Sequence, residues 1–150
     1  MNDTLLPNPR RLDWALLLLR IAPGVVFLYH GSAILFGTFG GPGLSGFSNM
    51  THLPVWVAAL VGLAQFCGGL AILTGVLTRV GATCTAIVML GAIFMVHLPH
   101  GFDVTKGGIE YALTQFLISV ALIITGAGDY SVVRALPKYQ HPHGTAVPQM

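Results

Sequence analysis

Four long apolar stretches dominate this 150-residue chain, and each is long enough to cross a lipid bilayer. They run over residues 13–36, 54–76, 80–98 and 109–127, and their only charged residues are Asp13, Arg20 and Glu110. A helix of about 20 apolar residues crosses a hydrocarbon core about 30 Å thick. Because backbone groups in lipid must be hydrogen-bonded within their own segment, the stretches should be helical. The sequence therefore predicts an all-α membrane protein built as a four-transmembrane-helix bundle.

The composition agrees with a surface that faces lipid. Hydrophobic residues make up 54% of the chain and charged residues only 8%, against roughly 25% charged residues in an ordinary soluble domain. The seven Lys and Arg residues are scattered, whereas a nucleic-acid-binding protein needs a clustered basic face. Membrane lipid is therefore an expected partner, and nucleic acid is not.

The distribution of basic residues predicts the orientation of the bundle. If the N-terminus is inside, the outer loops hold only Lys106, and the inner side holds Arg10, Arg11, Arg79, Arg134 and Lys138. Cytoplasmic loops carry an excess of Lys and Arg, so both termini should be cytoplasmic. We expect residues 1–134 to form the membrane domain and residues 135–150, which contain three prolines and two histidines, to form a flexible cytoplasmic tail. Residues 37–53, rich in Gly, Ser and Pro, should form a long outer loop.

Arg20 lies within the first span, about 10 Å above Asp13 at the helical rise of 1.5 Å per residue. One interpretation is that its side chain snorkels to the inner interface beside Asp13. The other is a buried cation that faces the bundle, since Gly24 and Gly31 share its helix face and small residues favour close helix contact. In both, Arg20 is a structural charge that holds the inner end of the bundle.

One face of the second span carries small residues and an amide. Gly62, Gln65 and Gly69 recur on it at helical spacing. Small residues let a neighbouring helix approach closely, and an amide can hydrogen-bond across the contact. We therefore predict that these three residues pack helices together.

Titratable residues gather at the predicted outer end. His30 and His97 lie near the outer ends of the first and third spans, and Glu110 and Tyr111 open the fourth. One interpretation is ordinary interfacial hydrogen bonding by amphipathic side chains. A second is a quinone pocket, in which His97 and Glu110 exchange protons while His30 and Tyr111 hydrogen-bond the headgroup, since His and a partly buried Glu can titrate near neutrality. A third is a metal site, but no strong metal-ligand spacing is present and we predict none.

The order and spacing of these residues resemble the DoxX family of small bacterial membrane proteins, over roughly residues 14–134. The matching positions are Leu19-Arg20, Gly24, Phe27, His30-Gly31, Gly68-Gly69-Leu70, Gly75, Thr78-Arg79, His97, Gly101-Phe102, Gly107-Gly108, Glu110-Tyr111, Gly126, Gly128 and Tyr130-Ser131. The resemblance implies a multi-pass protein of the bacterial cytoplasmic (inner) membrane. It also implies a small subunit or accessory of a quinone-linked membrane oxidoreductase, in sulfur and thiol chemistry or oxidative-stress defence.

Quinone is the cofactor expected on this interpretation, and the chain has no recognisable site of its own for an electron carrier. Electrons would then come from other membrane or redox subunits; homo-oligomerisation is an alternative form of assembly. Two other functions remain open: a non-enzymatic scaffold or assembly factor, and a small-solute transporter that works as an oligomer.

Three positions depart from the family pattern. A lysine usual four residues after the first histidine is Ile34, a glutamate usual before the paired glycines is Gln65, and an acidic residue usual near the end is Val133. We predict that the loss of the lysine and the loss of the glutamate belong together and leave a site that is neutral as a unit.

Overall fold

A computed structural model describes residues 8–135, and every regular element in that part of the chain is helical. The α-helices are α1 (Pro9–Phe36), α2 (Gly43–Thr51), α3 (Val55–Thr74), α4 (Thr78–Ala92), α5 (Glu110–Thr125) and α6 (Val132–Ala135). A π-helical turn over Ile93–His97 and a 3-10 turn over Leu98–His100 extend α4, and two further 3-10 turns cover Thr38–Gly40 and Val104–Lys106. The prediction of an all-helical chain is confirmed. The predicted tail lies almost entirely outside the described residues.

Three of the helical segments are long and apolar enough to cross a membrane, judged by length and composition. They are Arg10–Phe36, Val55–Thr74 and Thr78–His100. The fourth apolar helix, Glu110–Thr125, has 16 residues, which gives about 24 Å at the helical rise and falls short of a core about 30 Å thick. It is shorter than predicted because it ends at Gly126, which has φ of +77°, and because the preceding loop holds the amides of Ile109 and Glu110.

Local signals fix the ends of α1. The side-chain carbonyl of Asn8 accepts a hydrogen bond from the Arg10 amide at 3.1 Å, and Pro9 occupies the first turn, where a missing N–H costs nothing. At the other end, Gly37 adopts the left-handed conformation at φ +67° and donates its N–H to Ala33. This cap satisfies a carbonyl that the helix end would otherwise leave free.

The helices pack in the order α1, α3, α4, α5, with a lesser contact between α1 and α5. Glycines make the α1–α3 contact close, since a Cβ on Gly24 would lie 2.9 Å from the Cβ of Leu73 and one on Gly69 would lie 2.8 Å from the Leu28 nitrogen. The apolar core combines residues of all four helices: Phe27, Ile72, Ala82, Met89, Ile93, Ala112 and Leu122.

The predicted outer loop is partly helical, which corrects the expectation for residues 37–53. Helix α2 begins after Pro42 and ends at His52, which has φ of +57°. Leu44, Phe47 and Ser48 are half-buried, and their spacing is that of one helix face. The many glycines of this segment obscure the helical spacing of these three residues, so the sequence alone favours a loop. Helix α2 packs on α1 and α3.

Candidate functional site

The candidate residues that the sequence analysis expects at the outer end come from three elements. His30 lies in the last two turns of α1, His97 ends the π-helical turn after α4, and Glu110 and Tyr111 begin α5. Pro99 lies within the 3-10 turn that follows His97, and the helical segment ends at Gly101, which has φ of +78°. The chain then enters the loop over residues 101–109.

His30 and Tyr111 are brought together. Their ring centroids are 6.5 Å apart at an angle of 59°, so the pair joins α1 to α5 at this end of the bundle. The ring of Tyr29 meets that of His30 edge-on at 5.3 Å, and Phe39 stacks on Tyr29 at 4.9 Å. The two predicted headgroup ligands thus belong to a cluster of four rings, all of them exposed.

An apolar groove lies beside this cluster. It has a volume of about 330 Å³ and is lined by Val25, Leu28, Tyr29, Ser32, Phe39 and Phe66. The sequence pattern did not single out Tyr29 and Phe39, which line this groove. A signal existed, because aromatic residues near a membrane interface are amphipathic anchors, but Phe39 reaches the groove only through a left-handed backbone at φ +57°.

His97 and Glu110 support the loop that separates them. The Nδ1 atom of His97 lies 2.7 Å from the carbonyl oxygen of Gly107; since a carbonyl only accepts, Nδ1 carries the proton and donates. The carboxylate of Glu110 accepts a hydrogen bond from the Val104 amide at 3.2 Å. Within residues 8–135, no hydrogen bond or ion pair joins His97 to Glu110. Proton exchange between the two would therefore need a water or a ligand between them.

Hydrogen bonds within the loop over residues 101–109 hold its conformation. The Oδ1 atom of Asp103 accepts hydrogen bonds from the hydroxyl of Thr105 at 2.8 Å and from its amide at 2.9 Å, and these bonds lower the pKa of Asp103 below its ordinary value. Its main-chain carbonyl accepts from the Gly108 amide at 2.9 Å.

Of the three interpretations of this end of the bundle, a metal site would need several metal-binding side chains close together. Among residues 8–135, no three His, Cys, Asp or Glu side chains lie close enough to hold a metal ion.

Arg20 lies inside the bundle, with its side chain 1% exposed. Its guanidinium donates a hydrogen bond to the main-chain carbonyl of Tyr130. The carboxylate of Asp13 has a different partner, since it accepts from the Asp129 amide at 2.8 Å. The structure therefore has the buried form of Arg20 and not the one that snorkels beside Asp13.

The predicted packing residues Gly62, Gln65 and Gly69 are all buried. A Cβ on Gly62 would lie 2.8 Å from the side chain of Leu35, and one on Gly69 would meet Leu28. Both glycines thus face α1 of the same chain. Since α1 already covers this face of α3, it is not a free surface for a partner.

Comparison with known proteins agrees with the sequence resemblance. The DoxX family model matches residues 15–98. The chain is 30% identical over 111 residues to a Bacillus subtilis protein named "Putative oxidoreductase CatD", covering 74% of this chain and 78% of that protein. It is 33% identical over 126 residues to the Escherichia coli inner membrane protein YqjF, covering 84% of this chain and 95% of that protein. No solved structure matches. The family match and both relatives show that this chain belongs to the DoxX family of membrane proteins.

Proposed function

We propose that this chain is a small subunit or accessory of a quinone-linked oxidoreductase and that it binds quinone at the end of the bundle that carries His30 and Tyr111. The observation that supports the proposal is the ring pair of these two residues, 6.5 Å apart, beside an apolar groove of about 330 Å³. A quinone needs both features, because its tail is apolar and its two carbonyl oxygens accept hydrogen bonds. Small-molecule sites are commonly apolar clefts with a few polar groups at the edge.

The proposal includes a bacterial inner-membrane location with four spans and both termini cytoplasmic. All five arginines lie in or near one end of the bundle, whereas the described part of the opposite end carries Lys106. That asymmetry supports the orientation. Helix α5 could span despite its length, because a bilayer thins around a short hydrophobic segment at modest cost. The name of the Escherichia coli relative supports the location.

In the proposed chemistry, a partner subunit supplies electrons, and this chain binds the quinone and transfers protons. Reduction of quinone to quinol takes two electrons and two protons. A redox subunit bound to this chain would supply the electrons, and the outer aqueous phase would supply the protons by way of His97 and Glu110. His30 and Tyr111 would donate hydrogen bonds to the quinone oxygens and hold the headgroup. The oxidoreductase name of the Bacillus subtilis relative is consistent with such a role.

Quinone content tests the proposal directly. The full chain would be purified in native lipid discs, and extracted quinone would be quantified per chain by mass spectrometry against empty discs. We expect enrichment for the unmodified chain, a large loss in His30→Ala and a partial loss in Tyr111→Phe. His52→Asn is the matched control, since His52 is an exposed histidine at the end of α2 and asparagine tolerates its left-handed backbone. An unmodified chain that holds no more quinone than plain lipid would contradict the proposal.

Glu110→Gln separates proton exchange from loop support. The amide oxygen of the glutamine can still accept from the Val104 amide, as the carboxylate does at 3.2 Å. We therefore expect normal quinone content in this variant but slower quinone reduction once the electron donor is present. His97→Ala is less informative, because it also removes the hydrogen bond to Gly107.

A further inference from the structure

A second cavity lies at the opposite end of the bundle, where the arginines gather. It is open to the surface and has a volume of about 700 Å³. Its walls are the turn between α3 and α4 and the segments after α5, and its lining includes Gly75, Thr78, Arg79, Ser131 and Arg134. We call it the arginine-end cavity.

The positive charge around this cavity is only partly neutralised. Arg134 pairs with Asp129 at 2.6 Å, and this is the one ion pair within residues 8–135. Arg79 is exposed and donates one hydrogen bond, to the main-chain carbonyl of Ile124 at 3.3 Å. Its charge therefore has no carboxylate partner among the described residues.

A buried cation lies directly behind the wall. Arg20 uses one nitrogen for the Tyr130 carbonyl, while its Nε and Nη1 atoms are buried without any hydrogen-bond partner. Nη1 lies against Gly75, because a Cβ added to that glycine would collide with it and with Ser131. Both of those residues line the cavity. An uncompensated buried cation is costly, and an anion in the cavity would offset that cost.

Thr78 adds a donor to the wall itself. Its side chain is 4% exposed, and its hydroxyl is buried without a partner. Thr78 is also the first residue of α4. The residue before it is Leu77, whose apolar side chain cannot cap the helix. The first N–H groups of a helix have no partner inside the helix and attract anions.

We propose that the arginine-end cavity binds a phosphate group, held by the Arg79 guanidinium, the Thr78 hydroxyl and the first amides of α4, with Arg20 behind them. Arginine forks and helix N-termini both match phosphate oxygens. The chemistry is shared by an anionic lipid headgroup and a soluble phosphate. Leu77 is 70% exposed and Val80 is also exposed at the cavity, so an acyl chain could lie beside the phosphate. The proposal does not depend on quinone binding at the other end.

Two titrations of the purified full chain in zwitterionic detergent separate the two sources. Native mass spectrometry follows phosphatidylglycerol, with phosphatidylcholine, whose phosphate is balanced by a choline cation, as the net-neutral comparison lipid. Calorimetry follows inorganic phosphate against chloride at equal ionic strength. Selective binding of phosphatidylglycerol supports a lipid site, and binding of inorganic phosphate alone supports a soluble ligand. If neither binds to the unmodified chain, the proposal is wrong, and this result does not depend on any variant.

Three variants then locate the site. Arg79→Gln should weaken binding about tenfold or more, since charge-assisted hydrogen bonds are about twice as strong as neutral ones. Thr78→Val keeps the shape of the side chain and should weaken binding several-fold. Arg10→Gln is the matched control, because Arg10 is an exposed arginine of the same end but does not line the cavity. If Arg79→Gln and Arg10→Gln weaken binding equally, binding depends only on the general surface charge, and the proposal is wrong.

Discussion

The guanidinium of Arg20 donates a hydrogen bond to the main-chain carbonyl of Tyr130, which lies 110 residues later in the chain. The same two segments meet again where Trp14 packs on the ring of Tyr130, with centroids 4.9 Å apart, and where Asp13 accepts from the Asp129 amide. These contacts tie the first helix to the segment that follows the last long one. They close the bundle at its arginine end.

Arg20→Met should release this segment without unfolding the bundle. Methionine removes the hydrogen bond to Tyr130 but also removes a buried charge with two unpartnered nitrogens. Because such replacements are often neutral overall, we expect the free energy of unfolding to change by only about 1 kcal/mol. Hydrogen exchange in residues 126–135 should become much faster. Leu18→Met, at an exposed position of the same helix, is the control. Unchanged hydrogen exchange in Arg20→Met would contradict the idea that Arg20 holds this segment against α1.

Gly75→Ala should be strongly destabilising. Gly75 has φ of +77°, and an added Cβ would collide with Arg20 and Ser131. The left-handed conformation alone costs a non-glycine residue about 1–2 kcal/mol, so we expect a loss of about 2 kcal/mol or more in the free energy of unfolding. Reversible unfolding in mixed micelles measures it.

Gly91→Ala provides the matched comparison. A Cβ there meets nothing within 4 Å, and Gly91 lies inside α4, so alanine should stabilise the helix by about 0.5–1 kcal/mol. A similar loss of stability in both variants would show that the collision at Gly75 does not matter.

Each apolar stretch overlaps one of the long helices, because lipid leaves the backbone few alternatives to a helix. What they could not predict was where special backbone angles end a helix. Gly126 stops α5 early, and His52, a non-glycine residue in the left-handed region, ends α2. Neither feature changes hydropathy, so neither was visible in the sequence pattern.

The sequence predicts that the four candidate residues lie at one end of the bundle, but it does not predict which of their side chains meet. His30 and Tyr111 lie on neighbouring helices at the same height, and the structure brings their rings together. The directions of His97 and Glu110 depend on a π-helical turn and on the folding of residues 101–109. Helical spacing carries no information on either, and both side chains bond to that loop instead of to each other.

The loop over residues 101–109 should lose local order in acid. The hydroxyl and the amide of Thr105 hold the pKa of Asp103 below its ordinary value, so ionised Asp103 stabilises the folded loop. That contribution is fully present above the ordinary pKa of an aspartate and is lost as the pH falls through the lowered pKa of the folded state. Hydrogen exchange at Val104–Gly107 should therefore speed up, relative to the helices, below about pH 4.

Removing the Thr105 hydroxyl tests the cause. In Thr105→Val, the Asp103 carboxylate keeps the amide but loses the hydroxyl donor at 2.8 Å, so its pKa should rise and the loosening should begin at a higher pH. Thr114→Val is the control, since that hydroxyl bonds to the carbonyl of Glu110 within α5. If the pKa of Asp103 measured by NMR is the same in Thr105→Val and the unmodified chain, the explanation fails.

Two of the positions that depart from the family pattern lie at one helix contact. Ile34 and Gln65 are both buried, at 5% and 6% exposure. The side chain of Ile34 lies against Gly62, with 3.1 Å to a Cβ added there, and Gln65 follows Gly62 by about one turn of α3. We therefore infer that a lysine and a glutamate at these positions would lie close enough to interact.

This placement predicts coupling between Ile34→Lys and Gln65→Glu. Each change alone puts an unpaired charge in the contact, and such charges cost about 3–5 kcal/mol. In the double variant the two charges can pair, so its loss in free energy of unfolding should be smaller than the sum of the single losses by about 1–3 kcal/mol. Unfolding of the four proteins in mixed micelles gives the coupling energy. Ile34→Lys combined with Leu63→Glu, at an exposed position of α3, should show none. Strict additivity in the first cycle would mean that the two departures are independent and that no paired site was lost at this contact.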